Sequence, residues 1–300
     1  MRPPAGQGSR CIRTRVGSCA VTLGLVNSVA VRTRNNVRVS GARSGKPMVF
    51  AHGFGCDQDM WRLLTPAFAD EYKIVVYDHV GFGRSLRTAW DPVRHRQLST
   101  YAHELLEVID DLGLSDVVFV GHSVAAMIGV LAAIEAPDRF SDLVLVGPSP
   151  CYLNDAATGY VGGFSTGDID ALLEALDANY FGWSSTMAPL IMGNADQPEL
   201  GRELRDSFCR ADPAVASTFA RATFLSDNRA DLALLDVPAL VLQCADDSIA
   251  PTQVGRYVAD HIATSELVHL EATGHCPNLS APEETARAIK AYLERRSQLS

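Results

Sequence analysis

Six short runs along the chain are apolar without alternation: "PMVFAH" (47–52), "YKIVVYD" (72–78), "VVFVG" (117–121), "LVLVG" (143–147), "ALVLQC" (239–244) and "ELVHLE" (266–271). Runs of this kind, rich in Val, Leu and Ile, predict strands covered on both faces, as in parallel sheets. Two earlier stretches, "VAVRT" (29–33) and "NVRVSG" (36–41), do alternate and predict an antiparallel hairpin at a sheet edge. Between the runs, apolar residues take helical spacing over 98–112, 123–136, 253–261 and 283–295. Alternating strands and helices predict an α/β fold.

One segment breaks the alternation. Residues 151–235 hold no convincing buried strand, and helical patterns fill 168–180, 198–208 and 213–224. An all-helical insertion between two strands predicts a cap over the C-terminal edge of the sheet, where ligands bind in open α/β folds. The predicted organisation is a core of 28–150 and 236–297 with a helical cap of 151–235.

Composition narrows the function. The 300 residues are 47% hydrophobic and 20% charged, ordinary for a soluble domain with a large core. A net charge of -9 argues against nucleic-acid binding. The 7 cysteines contain no CxxC pair, which argues against a zinc site or a disulfide framework and for a reducing, cytoplasmic setting. No acidic residue precedes Asp57, while eight arginines do. The run "CAVTLGLVNSVAV" (19–31) is too short to span a bilayer and makes a poor signal-peptide core. Residues 1–27 are therefore expected to be a disordered extension, with no membrane association.

Candidate chemistry lies at "VVFVGHSVAAMIG", where a buried strand becomes a helix at Ser123. A sharp strand–turn–helix strains the serine backbone and lifts its hydroxyl above the sheet. The positions two before and two after must be small; Gly121 and Ala125 are. A hydroxyl needs a base, and the base an orienting carboxylate, in the chain order Ser, acid, His. "ADDSIAP" puts Asp246 and Asp247 after one strand, and "ATGHCPNLS" puts His275 after the next. Either aspartate could serve, or be a solvated loop carboxylate; Asp247 is preferred. Of the 8 histidines only His275 has this placement. An oxyanion needs two N–H donors. Val124, after the nucleophile, and Phe54, in the Gly-rich turn "AHGFGCD", are the candidates.

The motifs "GHSVAAMIG", "HGFGCDQDMW", "GPSPCYLND", "GGF", "FLSD" and "LQCADDSIAP" resemble the RsbQ family of the α/β-hydrolase superfamily. These bacterial stress-signalling hydrolases, regulators of a sigma factor, are related to the plant strigolactone and karrikin receptors. The resemblance runs from about Asn35 to Leu293. It implies a triad of Ser123, His275 and Asp247, oxyanion donors at Phe54 and Val124, a four-helix cap over a closed apolar pocket, and no cofactor or metal. It implies pocket positions at Phe54, Phe164, Met187, Phe208 and Phe224, and a phosphatase partner carrying a sensory PAS domain. Aromatic residues are frequent in 151–235, and at least half of them are expected to be packing. Few polar anchors among apolar walls suit a small hydrophobic ester or lactone. A serine at the elbow, in place of an aspartate, argues against haloalkane dehalogenase and epoxide hydrolase chemistry. Cys56, Cys151 and Cys276 are read as small packing residues. A turnover enzyme and a slow ligand sensor that recruits a partner through its cap both need the same triad.

Overall fold

The computed structural model describes residues 31–298 and Met1. Seven strands form one sheet in the order β1-β3-β2-β4-β5-β6-β7. They are β1 Arg38–Gly41, β2 Lys46–Ala51, β3 Tyr72–Tyr77, β4 Val117–His122, β5 Phe140–Val146, β6 Ala239–Asp246 and β7 Ser265–Thr273. β1 runs antiparallel to β3, and every other pairing is parallel.

The edge hairpin does not form. Residues 31–34 are helical, and only the second alternating stretch becomes a strand, β1. The extended pairing for β1 comes from β3, which lies far along the chain. The expected extension of 1–27 lies outside the described residues, apart from Met1.

The central strands explain the unbroken apolar runs: all six residues of β4 are buried, as are the first six of β6. β7 is different. As an edge strand it has only Leu270 fully buried, and Leu267, Val268 and Ala272 are partly buried against the core.

Helices α1 Leu98–Asp111 and α2 Val124–Glu135 pack on each other. α1 buries Leu98, Tyr101, Ala102, Leu105, Val108 and Ile109, the stripe its 3.6-residue period predicts. Between β5 and β6 come four helices: α3 Thr166–Ala178, α4 Tyr180–Met192, α5 Pro198–Phe208 and α6 Pro213–Phe224. Periodicity alone missed α4, because Pro189 and a Ser-Ser-Thr run blur its pattern. The predicted helix over 168–180 also ends earlier. Asn179 leaves helical geometry (φ -158°, ψ 83°), and its side chain caps α4 by accepting from the Gly182 N–H at 3.0 Å. α7 Thr252–His261, the short α8 Pro277–Ser280 and α9 Pro282–Ser297 complete the core. The parallel register (Ala51 beside Gly121, His122 beside Val146, Asp246 beside Thr273) brings the C-terminal ends of β2, β4, β5, β6 and β7 to one edge.

Candidate active site

At that edge Ser123 links β4 to α2 at φ 56°, ψ -124°. Its N–H donates to the Val146 carbonyl at 2.8 Å, which ties the elbow to β5. Close approach of strand and helix leaves no room at residue 121: a Cβ there would sit 2.6 Å from the Ala125 carbonyl oxygen. Gly121 meets that need, and Ala125 is itself fully buried.

His275 lies in the loop after β7. Its Nε2 is 2.8 Å from Ser123 Oγ, and its Nδ1 is 2.7 Å from Asp247 Oδ2. The other Asp247 oxygen accepts from the N–H groups of Ile249 and Ala250 at 2.8 and 3.0 Å. Two backbone donors and one imidazole thus hold the carboxylate in a single orientation. All three residues are buried. Asp246 ends β6 with its side chain exposed and does not join this chain of hydrogen bonds. A serine hydroxyl bonded to an imidazole that is bonded to a carboxylate can attack a carbonyl carbon while the imidazole takes its proton.

Phe54 and Val124 both border this region. Val124 opens α2, so its N–H has no partner inside the helix, and neither N–H donates a hydrogen bond among the described residues. The Gly53–Phe54 peptide is held from its other end: the Gly53 carbonyl accepts from His52 Nδ1 at 2.9 Å and from the Cys56 N–H at 3.3 Å. His52 Nε2 accepts from the His79 N–H at 3.0 Å, which leaves the ring proton on Nδ1.

A cavity of about 30 Å³ opens beside Ser123. Of the five residues named from the resemblance, Phe54, Phe208 and Phe224 line it. Phe164 and Met187 do not. The Phe164 ring packs on Tyr152 and Phe224, 6.4 Å from each centroid, and Met187 is half-buried against the hydrophobic core. Trp183 and Ile191 of α4, with Leu204 of α5, take the wall instead. Sequence reasoning did not assign these three to the site. α4 had gone unseen, and a leucine on an amphipathic helix carries no mark of function.

Tyr152 and Thr223 also line the cavity. Tyr152 lies near Ser123 without a hydrogen bond of ordinary geometry, and burial pushes its phenol up to about 12. Cys56 and Cys276 are on the wall as well. Burial first, then Asp57, pushes the Cys56 thiol up to about 12, and burial holds Cys276 well above the ordinary thiol range, so both stay protonated. A larger hollow of about 650 Å³, bordered by Arg96, Leu98, Ser217, Arg221 and Leu225, includes none of the Ser123 chain. Among the described residues no His, Cys, Asp and Glu cluster could hold a metal ion, and no helix is long and apolar enough to cross a membrane.

Comparison with known proteins finds relatives along most of the chain. A profile of the Alpha/beta hydrolase family matches residues 48–288. The strigolactone esterase D14 of Arabidopsis thaliana is 40% identical over 262 residues, 87% of this chain and 96% of the relative. The karrikin insensitive 2 receptor CA of Petunia hybrida is 36% identical over 254 residues, 84% of this chain and 93% of the relative. Among solved structures, the hydrolase olei00960 of Oleispira antarctica superposes with a TM-score of 0.86 at 39% identity, covering 89% of this chain and 97% of that one. On its fold, its elbow serine and these matches, the chain belongs to the α/β-hydrolase family.

Proposed function

We propose that the protein hydrolyses a small hydrophobic ester or lactone through an acyl-enzyme on Ser123. The Oγ atom attacks the carbonyl carbon, the C=O pair moves onto oxygen, and the hydroxyl proton passes to His275 Nε2. Asp247 holds the imidazole tautomer and stabilises its charged form. The N–H groups of Phe54 and Val124 receive the oxyanion. Collapse breaks the bond to the alcohol oxygen, which leaves with the proton from His275; in a lactone it stays on the same acyl chain. Water then attacks the ester of Ser123 with His275 as base, restoring the serine. The hydrogen-bonded chain from Ser123 through His275 to Asp247 carries this reading. The core of 28–150 and 236–297 would hold the chemistry and the cap of 151–235 the substrate. The five cysteines among the described residues are free thiols, which favours a reducing compartment and so the cytoplasm.

A second reading has its own support. Some relatives are named as receptors, and a cavity of about 30 Å³ is far below the ~300–1,000 Å³ usual for ligand sites. Entry then requires the wall to move, which suits slow turnover coupled to a change of the cap. On this reading the chain is an RsbQ-like sensor in stress signalling, acting on a sigma factor through a phosphatase partner with a PAS domain.

Steady-state and rapid-mixing assays with p-nitrophenyl esters and a butenolide probe separate the two. Multiple fast turnovers support the enzyme; a burst followed by a long-lived adduct supports the sensor. Both require Ser123→Ala to abolish the reaction, a loss of up to ~10⁶. Turnover by Ser123→Ala within tenfold of wild type would remove both.

A further inference from the structure

His275 works from a loop, so its aim depends on how its backbone is held. Both of its backbone polar groups are used. The N–H donates to the Ile191 carbonyl at the end of α4, at 2.9 Å. The carbonyl lies 2.7 Å from Nε2 of His122. His122 is the last residue of β4, immediately before Ser123. One hydrogen bond therefore ties the residue bearing the imidazole to the strand bearing the hydroxyl.

The protonation of His122 follows from its surroundings. It is buried, and burial together with the neighbouring His275 holds it down to about 3, so the ring is neutral near pH 7. A neutral imidazole carries one N–H, and a carbonyl can only accept. The proton is on Nε2 and is donated to His275. The other nitrogen, Nδ1, faces Gly53, where a Cβ would fall 2.5 Å away. Gly53 thus lets the ring sit deep enough to reach the His275 carbonyl. The two rings are 4.9 Å apart at 53°.

We propose that His122 is a positioning residue: its Nε2–H holds the His275 carbonyl and so sets the His275 imidazole between Ser123 and Asp247. This rests on the hydrolase reading above. The alternative is that His122 only fills space, in which case a side chain's size matters and its donor does not.

The amide nitrogen of glutamine reaches about as far as Nε2 of histidine, and that of asparagine only as far as Nδ1. His122→Asn and His122→Gln therefore differ in reach and not in chemistry. A lost hydrogen bond of this kind costs about 10-fold in rate. His122→Asn should lower kcat about 10-fold or more with KM within about twofold, and His122→Gln should recover most of that loss. Phosphonate labelling of Ser123 should slow in the same order. Equal losses in both variants, or a loss confined to KM, would overturn the proposal.

A measurement on the wild type stands independently of whether the variants fold. Nitrogen-15 spectra of labelled histidine should show the His122 ring neutral and Nε2-protonated from pH 8 to 5, with its Nε2–H correlated to the residue 275 carbonyl. A charged ring or an Nδ1 proton at His122 would overturn the proposal. If instead Ser123→Ala keeps its turnover, the hydrolase reading fails, while the spectra still report the hydrogen bond itself.

Discussion

Ser123 occupies a backbone region that costs about 1–3 kcal/mol for a residue with a Cβ. The Val146 carbonyl and the tight contact of Gly121 with α2 hold it there. The two aspartates show how narrow a choice at this scale can be. Asp247 faces His275 and two N–H groups, and Asp246 faces solvent. Asp247→Asn should cut kcat by up to ~10⁴, as loss of an orienting carboxylate does. Asp246→Asn should stay within a few-fold of wild type. Reversed ranks in a p-nitrophenyl ester assay would reassign the acid. The chain order and strand-end placement of Ser123, the aspartate pair and His275 were readable in the sequence, because each follows an apolar run. The full set of side chains that line the cavity was not. Phe164 and Met187 looked as eligible as Phe224, but Tyr152 and Phe224 border the cavity, and Phe164 packs on both without reaching it.

At the scale of elements, α4 matters most, and it was the helix that periodicity did not find. Its C-terminal end meets the loops that carry Asp247 and His275. Ile191 accepts from the His275 N–H, the Leu190 carbonyl lies 3.4 Å from Ser248 Oγ, and Asn194 Nδ2 lies 3.3 Å from Thr273 Oγ1. Gly274 sits between them at φ +78°, and a Cβ there would fall 1.7 Å from the Met192 carbonyl oxygen. Gly274→Ala must therefore push α4 from the His275 loop. It should lower kcat at least tenfold, the scale of a misplaced catalytic group, which an ester assay at saturating substrate will read. Activity equal to wild type would show that the junction does not aim His275. Within the cap, Phe219 and Phe224 separate core from wall. Phe219 is fully buried against Tyr101, Phe82 and Phe54 at 4.7, 5.0 and 6.0 Å, so Phe219→Ala should cost about 3–5 kcal/mol in urea unfolding. Phe224 borders the cavity. Phe224→Ala should cost less and shift kcat/KM toward longer-chain esters. Equal costs with unchanged chain-length preference would place Phe224 in the core.

For the whole molecule, the α/β order, the insertion between β5 and β6 and the convergence of strand ends were all legible as apolar runs and their spacing. The placement of the first strand was not, since its partner β3 is more than thirty residues away. The buried histidines set a pH dependence. His52, His79 and His122 are all held below the ordinary 6.5, chiefly by burial, His79 well below it and His122 at about 3. Between those values and 6.5 the unfolded chain binds more protons than the folded one, so stability falls as pH falls. It should be level above about pH 7 and drop from about 6.5 downward, by about 1.4 kcal/mol per pH unit for each fully depressed histidine. Urea midpoints at pH 7.5 and 5.5 will show it; equal midpoints would mean that these rings can be charged in the fold.

The most direct test of the hydrolase reading is the mass of the protein during the reaction. A p-nitrophenyl ester mixed with the wild type, quenched in acid within the burst and digested, should give a single acylated peptide with the acyl group on Ser123, and none from Ser123→Ala. An acyl group on another residue, or undiminished turnover by Ser123→Ala with no adduct, would contradict it.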